Sequence, residues 1–346
     1  MQELPVLHDP VYVEREYSKI DQFFIRRLND KRDLPFVYLT LKITFTLLPL
    51  AIALYLVDFN SWIWWACAVA YLVLDNFVFK GPYGLMFHCT SHRPWFKGKA
   101  NIPYQFQNWV LGLFFGQTPN TYRAHHIGMH HRENNLHHDD SSTMQYQRDS
   151  VRDFHKYFFS FLFTAIVNLI SYFNFRKQFR LRDKVAYGEI LYWIYVIILS
   201  VVNFPATLVV YIIPLFIARY IMMLGNFAQH AFVDPEDPGN SYKNSVTCIN
   251  TKYNQKCWND GYHISHHLRP NLHWTEHPEH LLKHKDEYAE NKSLIFEGIH
   301  FLHIWFYLMR RNYDKLADHL VNINGTFKSR EEAIQLMKLR TQKIKV

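Results

Sequence analysis

Histidine is concentrated in one short stretch of this chain. Residues 122–140 read YRAHHIGMHHRENNLHHDD, and six of these nineteen residues are histidine. Neutral imidazole is a common ligand for zinc, copper, iron and nickel. So many imidazoles in one segment therefore predict a metal site.

Four histidine clusters along the sequence share a spacing that suits metal binding. Within a cluster the residues lie three or four positions apart, which places their side chains on one face of a helix, one turn apart. One tetrahedral zinc takes four ligands, so the set is too large for one ion and predicts two. The candidate ligands are His88, His92, His126, His130, His131, His230, His263, His266 and His267.

The other histidines carry a weaker signal. His125 has no partner four residues on, and it is left out of the site. His137 and His138 precede two aspartates and are interpreted either as supports for the ligands or as solvated residues. A further group in a charged stretch is interpreted as non-ligand surface: His273, His277, His280 and His284.

Carboxylates near the ligands in sequence are candidates to orient the imidazoles. A ligating histidine usually donates its second ring N–H to a carboxylate or a carbonyl, which fixes the tautomer. Each of these residues is equally compatible with an ordinary surface charge. The candidates are Glu133, Asp139, Asp140 and Asp260.

Composition points to a membrane rather than to nucleic acid. The apolar fraction is 49% and the formal net charge is +8. The basic residues form short runs beside apolar segments and no basic stripe with interleaved aromatics, so a nucleic-acid partner is not expected. The four cysteines form no C-x-x-C pair, which predicts reduced thiols without a metal or redox role.

Apolar runs predict two helical hairpins in a membrane. Phe36–Val57 and Trp62–Phe79 are each near the length needed to cross a bilayer, and a short polar link joins them. Tyr187–Phe204 and Ala206–Leu224 form a second pair around a tight turn at Asn203. The tryptophans that open the second run are placed by this pattern in an interfacial aromatic belt: Trp62, Trp64 and Trp65.

A fifth apolar run, Tyr157–Phe175, is interpreted as an interfacial or re-entrant helix. Basic residues flank the first hairpin, and a basic loop at residues 176–184 follows the fifth run. The positive-inside rule places both regions in the cytoplasm, so this run begins and ends on one side. The alternative is that it also crosses and that the C-terminus is external.

The predicted fold class is therefore an all-α, multi-pass membrane protein. It has four transmembrane helices in two hairpins, and a cytoplasmic helical cap holds a two-metal site. The sequence is divided into a cytoplasmic N-terminal segment (1–35), a membrane domain with the histidine clusters (36–285) and a cytoplasmic helical C-terminal region (286–346).

The clusters resemble the three histidine boxes of the membrane fatty acid desaturase family, H-x(3–4)-H, H-x(2–3)-H-H and [HQ]-x-x-H-H. Here the boxes are His88/His92, His126/His130/His131 and His263/His266/His267. Asn226 and His230 are similar to an additional asparagine and histidine that acyl-CoA desaturases use after the last span. The resemblance covers roughly residues 35–285.

The resemblance implies a di-iron centre that activates O2 and removes two hydrogens from adjacent carbons of a lipid acyl chain. It implies that the nine histidines bind two iron ions and that Asn226 binds one of them through water. No heme-binding H-P-G-G signature is present. The electrons are thus expected from an external donor of cytochrome b5 or ferredoxin type. The expected location is the endoplasmic reticulum or a bacterial inner membrane.

Other functions compatible with such a site remain as alternatives. A di-iron alkyl or carotenoid-like hydroxylase would share the metal ligands and differ in how it places its substrate. A zinc-dependent membrane hydrolase is disfavoured because the sequence lacks H-E-x-x-H. A bis-heme electron carrier or a metal transporter would place its ligands inside the spans, where this pattern has none.

Overall fold

The computed structural model describes residues 1–98 and 101–344. Lys99, Ala100, Lys345 and Val346, which fall in the predicted segments 36–285 and 286–346, lie outside the described residues. Helices make up 66% of the structure and strands are few, as the all-α prediction requires.

Five helices in the described part of the protein are long and apolar enough to cross a membrane. They are α1 (Lys31–Leu56), α2 (Trp62–His92), α3 (Val151–Phe175), α4 (Phe179–Val202) and α5 (Phe204–Gln229). Large apolar side chains such as Phe45, Phe77 and Val201 are mostly exposed on these helices. Such faces are stable only against lipid or another protein, and together with the length of the helices they identify a membrane protein.

The first hairpin differs from its prediction in one tryptophan. Trp62 and Trp65 are exposed, as an interfacial belt requires, but Trp64 is buried. Its indole Nε1 donates a 2.8 Å hydrogen bond to the carbonyl of Leu54, so Trp64 closes the hairpin between α1 and α2. The prediction for Trp64 was wrong because three nearby tryptophans on a helix point in three directions, and only one of these faces the neighbouring helix.

The number of spans stays a prediction. The second hairpin has its tight turn at Asn203, whose side chain accepts a hydrogen bond from the Ala206 N–H and caps the helix that follows. Helix α3, predicted as interfacial, is a continuous helix of 25 residues and meets the same length and composition criteria as the others. The four-span count with an interfacial α3 therefore remains to be tested.

The shorter elements lie mainly before and after the long helices. The two strands, β1 (Val246–Ile249) and β2 (Leu294–Glu297), form a parallel pair in which Val246 is opposite Leu294. The shorter helices are Lys19–Ile25, residues 102–114, residues 121–133, Ser241–Asn244, Lys252–Lys256, His263–Leu268, His277–Lys283, Lys285–Glu290, Phe301–Met309, Tyr313–His319 and Arg330–Arg340.

The protein divides into two compact units that cut across the three predicted segments. Unit 1 comprises Met1–Tyr12, His126–Leu169 and Ile221–Val346. Unit 2 comprises Val13–His125 and Ile170–Tyr220. The first residues of the sequence therefore belong with the region of the second and third histidine boxes, a grouping that no local sequence signal indicates.

The strand pair is the centre of the apolar core of unit 1. The strands read Val-Thr-Cys-Ile and Leu-Ile-Phe-Glu, with β-branched and aromatic residues that favour strands, and nearly every side chain in them is buried. Helix Phe301–Met309 packs its buried face, Phe301, Ile304 and Leu308, into the same core. This apolar run is too short to cross a bilayer, and it forms part of the folded core of unit 1.

A buried arginine joins three segments of unit 1. Arg148 is fully buried, and its guanidinium donates hydrogen bonds to the carbonyls of Thr143, Met144, Ala231 and Arg340, at 3.0–3.1 Å. Because these carbonyls come from a loop, from the segment after α5 and from the C-terminal helix, one side chain satisfies buried acceptors that are distant in sequence.

We expect Arg148→Met to destabilise unit 1. The substitution leaves the buried carbonyl of Ala231 without a donor, and such a group costs about 1–3 kcal/mol. The carbonyls of Thr143, Met144 and Arg340 each lose one of two donors, because a backbone N–H also bonds each of them. The apparent melting temperature of the purified protein in detergent should fall clearly. Arg152→Met, at an exposed position in the first turn of α3, is the matched control and should leave it unchanged. Equal melting temperatures for the two variants would contradict this role.

Candidate metal centre

The structure places the predicted ligands on four local elements. His88 and His92 lie in the last turns of α2, in unit 2. The remaining ligands belong to unit 1. His230 directly follows α5, and the other two clusters lie on residues 126–133 and on helix His263–Leu268.

Four histidines of unit 1 converge to form the first imidazole group: His130, His230, His263 and His267. One ring nitrogen from each lies within 4.8 Å of the others. The Nε2 of His263 is 3.1 Å from the Nε2 of His230 and 3.0 Å from that of His267. Three of the four side chains are almost completely buried, so this is an interior site with its nitrogens turned toward one point.

Three further histidines form the second imidazole group: His126, His131 and His266. The Nε2 of His131 is 3.0 Å from the Nε2 of His126 and 2.9 Å from that of His266. Residues His126–His130 form one turn of π-helix (a π-turn), in which residues five apart lie nearly above one another. The π-turn explains why His131, and not His130, joins His126.

The histidines of the first box lie near the end of α2, in unit 2. The ring centroids of His88 and His92 are 5.2 Å apart, as expected one helical turn apart on one face. His88 is buried and His92 is half-buried. The predicted spacing of this box is thus confirmed within unit 2.

Hydrogen bonds to the outer ring nitrogens fix two tautomers. The Nδ1 of His130 is 2.6 Å from a carboxylate oxygen of Asp139, and the Nδ1 of His230 is 2.8 Å from the carbonyl oxygen of Asn244. Because a carbonyl and an ionised carboxylate only accept, each Nδ1 carries the proton. The unshared electron pair is left on Nε2, the nitrogen that a metal would bind.

Asp139 is itself held firmly. Its carboxylate accepts hydrogen bonds from the backbone N–H of Asn135 and from both the N–H and the hydroxyl of Ser141, at 2.7–3.2 Å. Of the four predicted carboxylates, Asp139 bonds a predicted ligand, His130. Asp140 instead accepts from Asn168, and Asp260 accepts from Tyr253 and Gln229.

The environment of His230 and His267 keeps these two rings neutral. Burial, with a smaller contribution from the neighbouring His130, lowers the pKa of His230 to about 3. Burial and the imidazoles around it also lower the pKa of His267 far below its ordinary value. At neutral pH both rings therefore keep the unshared electron pair that metal binding requires.

The third box is held by a residue that sequence reasoning missed. Asp9 is buried, and its carboxylate accepts hydrogen bonds from the Tyr262 hydroxyl, the Asn254 side chain and the Asn250 N–H, at 2.7–3.0 Å. Tyr262 directly precedes His263. The N-terminal segment therefore supports the helix that carries three ligands, and a contact between residues so distant in sequence leaves no local signal.

Asn226 lies one turn before His230 and is turned toward the loop that carries Asp139. Its side-chain nitrogen donates to the carbonyl of Ser141 at 2.9 Å and to the hydroxyl of Tyr157 at 2.7 Å. Because the nitrogen is committed to these oxygens, only the amide oxygen is left to bond a metal-bound water. Its role as a ligand through water stays a prediction.

The structure corrects the interpretation of two other histidines. His273 and His277 are buried rather than on the surface. The Nδ1 of His273 is 2.8 Å from the Thr275 hydroxyl, and that of His277 is 2.7 Å from the hydroxyl of Ser265, inside the third box. His277 thus supports the ligand helix. His137 and His138 are exposed and solvated, as one of their two interpretations proposed.

The four cysteines are free thiols. Cys248 lies in β1, within the apolar core, and Cys257 is also buried. Burial raises the pKa of Cys248, so this thiol stays protonated. Neither cysteine joins an imidazole group among the described residues.

Comparison with known proteins gives one match. The family model for fatty acid desaturase matches residues 62–298, which include all three histidine boxes. No curated protein matches the sequence. No solved structure matches it either. Since the match covers well over half of the sequence and contains both imidazole groups and the first box, the protein belongs to the fatty acid desaturase family.

Proposed function

We propose that this protein is an O2-dependent di-iron desaturase that introduces a double bond into a long acyl chain of a lipid. Family membership gives an oxidoreductase, and the five apolar helices give a membrane protein. The observation that carries the finer proposal is the convergence of seven imidazoles of unit 1 into two groups.

The spacing of the nitrogens supports metal ions with right-angled ligand geometry. For a metal–nitrogen bond of about 2.1 Å, two ligands at a right angle lie ~3.0 Å apart, whereas tetrahedral ligands lie ~3.4 Å apart. The closest Nε2 pairs in the two groups are 2.9–3.1 Å apart. These distances suit a five- or six-coordinate ion such as iron better than a closed tetrahedral zinc site.

Three of the proposed ligands rest on the family pattern. His88 and His92 match the first box, and we propose that they complete the ligands of the two ions. Asn226 would hold one ion through a water bonded to its amide oxygen. His88 and His92 bring the number of proposed imidazole ligands to nine. None of the proposed ligands is a carboxylate that would lower the charge of the metal pair.

The reaction needs an oxidant that the side chains of a protein do not supply. A carbon–hydrogen bond in the middle of an acyl chain has no acidic proton, so acid–base residues cannot break it, and bound iron would supply the oxygen-reducing chemistry. In the overall reaction the lipid loses two hydrogens, and O2 with two donor electrons and two protons becomes two waters. Asp139 and the Asn244 carbonyl keep His130 and His230 in the tautomer that can bind the metal.

The electrons are proposed to come from a separate donor protein of cytochrome b5 or ferredoxin type. The proposed cytoplasmic face carries the basic loop at residues 176–184, in a protein whose formal net charge is +8. Small donors of this kind are commonly acidic, so charge attraction would speed their encounter with the enzyme. The proposed location is the endoplasmic reticulum or a bacterial inner membrane.

The protein prepared with iron should bind two iron ions per molecule. His267→Ala removes a ligand from the first imidazole group, so the iron content should fall to about half or less and turnover should be lost. Iron is measured by elemental analysis against protein concentration. His137→Ala, at an exposed histidine outside both groups, is the matched control and should keep both ions. Active protein with a single zinc would rule out the di-iron proposal.

Asp139→Asn should weaken metal binding without removing a ligand. The substitution removes the negative charge that fixes the tautomer of His130, and loss of such a partner commonly costs about 10–100-fold in metal affinity. Iron retention is measured during titration with a chelator. Asp140→Asn, next in sequence but bonded to Asn168, is the control and should behave like the unsubstituted protein. Equal iron loss from both variants would contradict the role of Asp139.

The product should be an acyl chain with one new double bond. Lipids of a host that expresses the protein are compared with those of a host that expresses His267→Ala, by mass spectrometry with double-bond localisation. We expect a species two mass units lighter than its precursor. A gain of sixteen mass units without this loss would instead establish the hydroxylase.

A further inference from the structure

Two opposite charges lie inside α2, the helix that carries the first histidine box. The ammonium of Lys80 is 2.9 Å from the carboxylate of Asp75, and the two side chains are 8% and 0% exposed. Among the described residues, no other group makes a hydrogen bond to either charge. The Lys80 ammonium also lies 5.6 Å from the centre of the Phe115 ring.

The local backbone is what brings this pair together. Residues Leu74–Phe79 form a π-turn, and the backbone N–H of Lys80 donates to the carbonyl of Asp75, five residues back. In an α-helix, side chains five residues apart point about 140° away from each other. The ion pair therefore requires the π-turn, and the Asn76 side chain bonds the Leu72 carbonyl at the edge of the turn.

Such a pair is costly in an apolar helix. Desolvation of two charges commonly outweighs their attraction, so a buried ion pair is weak evidence of a gain in stability. A π-turn likewise replaces regular α-helical hydrogen bonds and often marks a functional site. Ionisable residues inside a membrane-spanning helix usually have a function. The cost of the pair and of the turn therefore indicates a role in the part of α2 that follows them.

The π-turn sets the direction of every later side chain in α2. If it relaxed to an α-helix, the residues after it would rotate by about 100°, so each would take the face of its successor. His88 would then point where Cys89 points, and Cys89 would take the buried face of Thr90. Hydrogen bonds from Trp64 and Tyr71 fix the earlier part of α2, so we expect the later part to rotate at the cost of the two hydrogen bonds that Tyr83 and Thr90 make to Gln107.

We propose that Asp75 and Lys80 are positioning residues that hold this π-turn and thereby aim His88 and His92. They do not touch the reacting atoms. This inference rests on the proposed function in one respect: the direction of His88 and His92 matters because they would bind metal. The claim about the helix itself concerns side-chain direction and can be tested without a metal.

The direct test replaces both charges with side chains of similar size, Asp75→Asn with Lys80→Met. The rate at which a maleimide modifies Cys89 in detergent is followed by mass spectrometry of peptides. We expect Cys89 to react several-fold more slowly, because it turns onto a buried face. Cys67, which lies before the π-turn and is half-buried like Cys89, is the internal control and should react at its original rate.

A rescue experiment separates positioning from a loss of stability. Deletion of Phe77, an exposed residue inside the π-turn, lets a regular α-helix keep the original direction of the later residues. Added to the neutral double variant, this deletion should restore Cys89 labelling and the iron content. The exchanged pair, Asp75→Lys with Lys80→Asp, keeps the attraction and should also retain both.

Unchanged Cys89 labelling in the neutral double variant would overturn the proposal. If the neutral double variant does not accumulate, a second variant tests the proposal: Phe77 is deleted and both charges are kept. Asp75 and Lys80 are then four residues apart and can pair on a regular α-helix. Cys89 should then react as in the unsubstituted protein, and a slower reaction would overturn the proposal. Protein that binds no iron but follows the labelling pattern would refute the proposed function and leave the positioning role standing.

Discussion

Unshared electron pairs that face one another in a buried space are the interaction on which the rest of unit 1 depends. The Nε2 of His263 has two other Nε2 atoms within about 3 Å, and the Nε2 of His131 has two as well. A neutral ring has a single N–H, and Nδ1 already holds it in His130 and His230. Protons alone cannot satisfy such an arrangement in a buried site, whereas a cation at the common point can.

The surrounding structure holds these rings in place although they come from distant parts of the sequence. The loop around Asp139, the segment before Asn244 and the N-terminal residues at Asp9 each bond a ligand or its immediate neighbour. The apolar core around β1 and β2 gives these contacts a rigid base, because closely packed side chains resist displacement. Contacts from most of unit 1 thus offset the free energy needed to bury so many imidazole rings.

π-turns occur in two of the segments that carry histidine boxes. In α2 the turn lies before His88 and His92 and contains a buried ion pair. At His126–His130 it lies within the second box and directs neighbouring histidines to different groups. A π-turn changes the direction of the side chains that follow it without interrupting the helix. It can therefore direct a predicted ligand from a long, rigid helix.

Much of the site was predictable from the sequence because its signals are local. Residue type indicated metal binding, spacing placed the histidines on helices, and apolar runs with basic flanks indicated the membrane helices and the turn at Asn203. These features depend only on neighbours in the sequence, and the structure and the family match confirm the apolar helices and the family. The histidine clusters lie close enough together to hold metal, and their role as ligands stays a prediction. Contacts distant in sequence, such as those of Asp9, Trp64 and His277, left no such signal.

The spacing of the histidines in the sequence did not determine how the predicted ligands divide into two groups. Adjacent residues His130 and His131 belong to different groups, and so do His266 and His267. An α-helical interpretation of the spacing joins His126 with His130, but the π-turn turns His131 toward His126 instead. The sequence determined which side chains could bind metal and on which elements they lie. The local backbone and the packing of distant segments determined which nitrogens meet, because a difference of one residue in a turn redirects a side chain by about 100°.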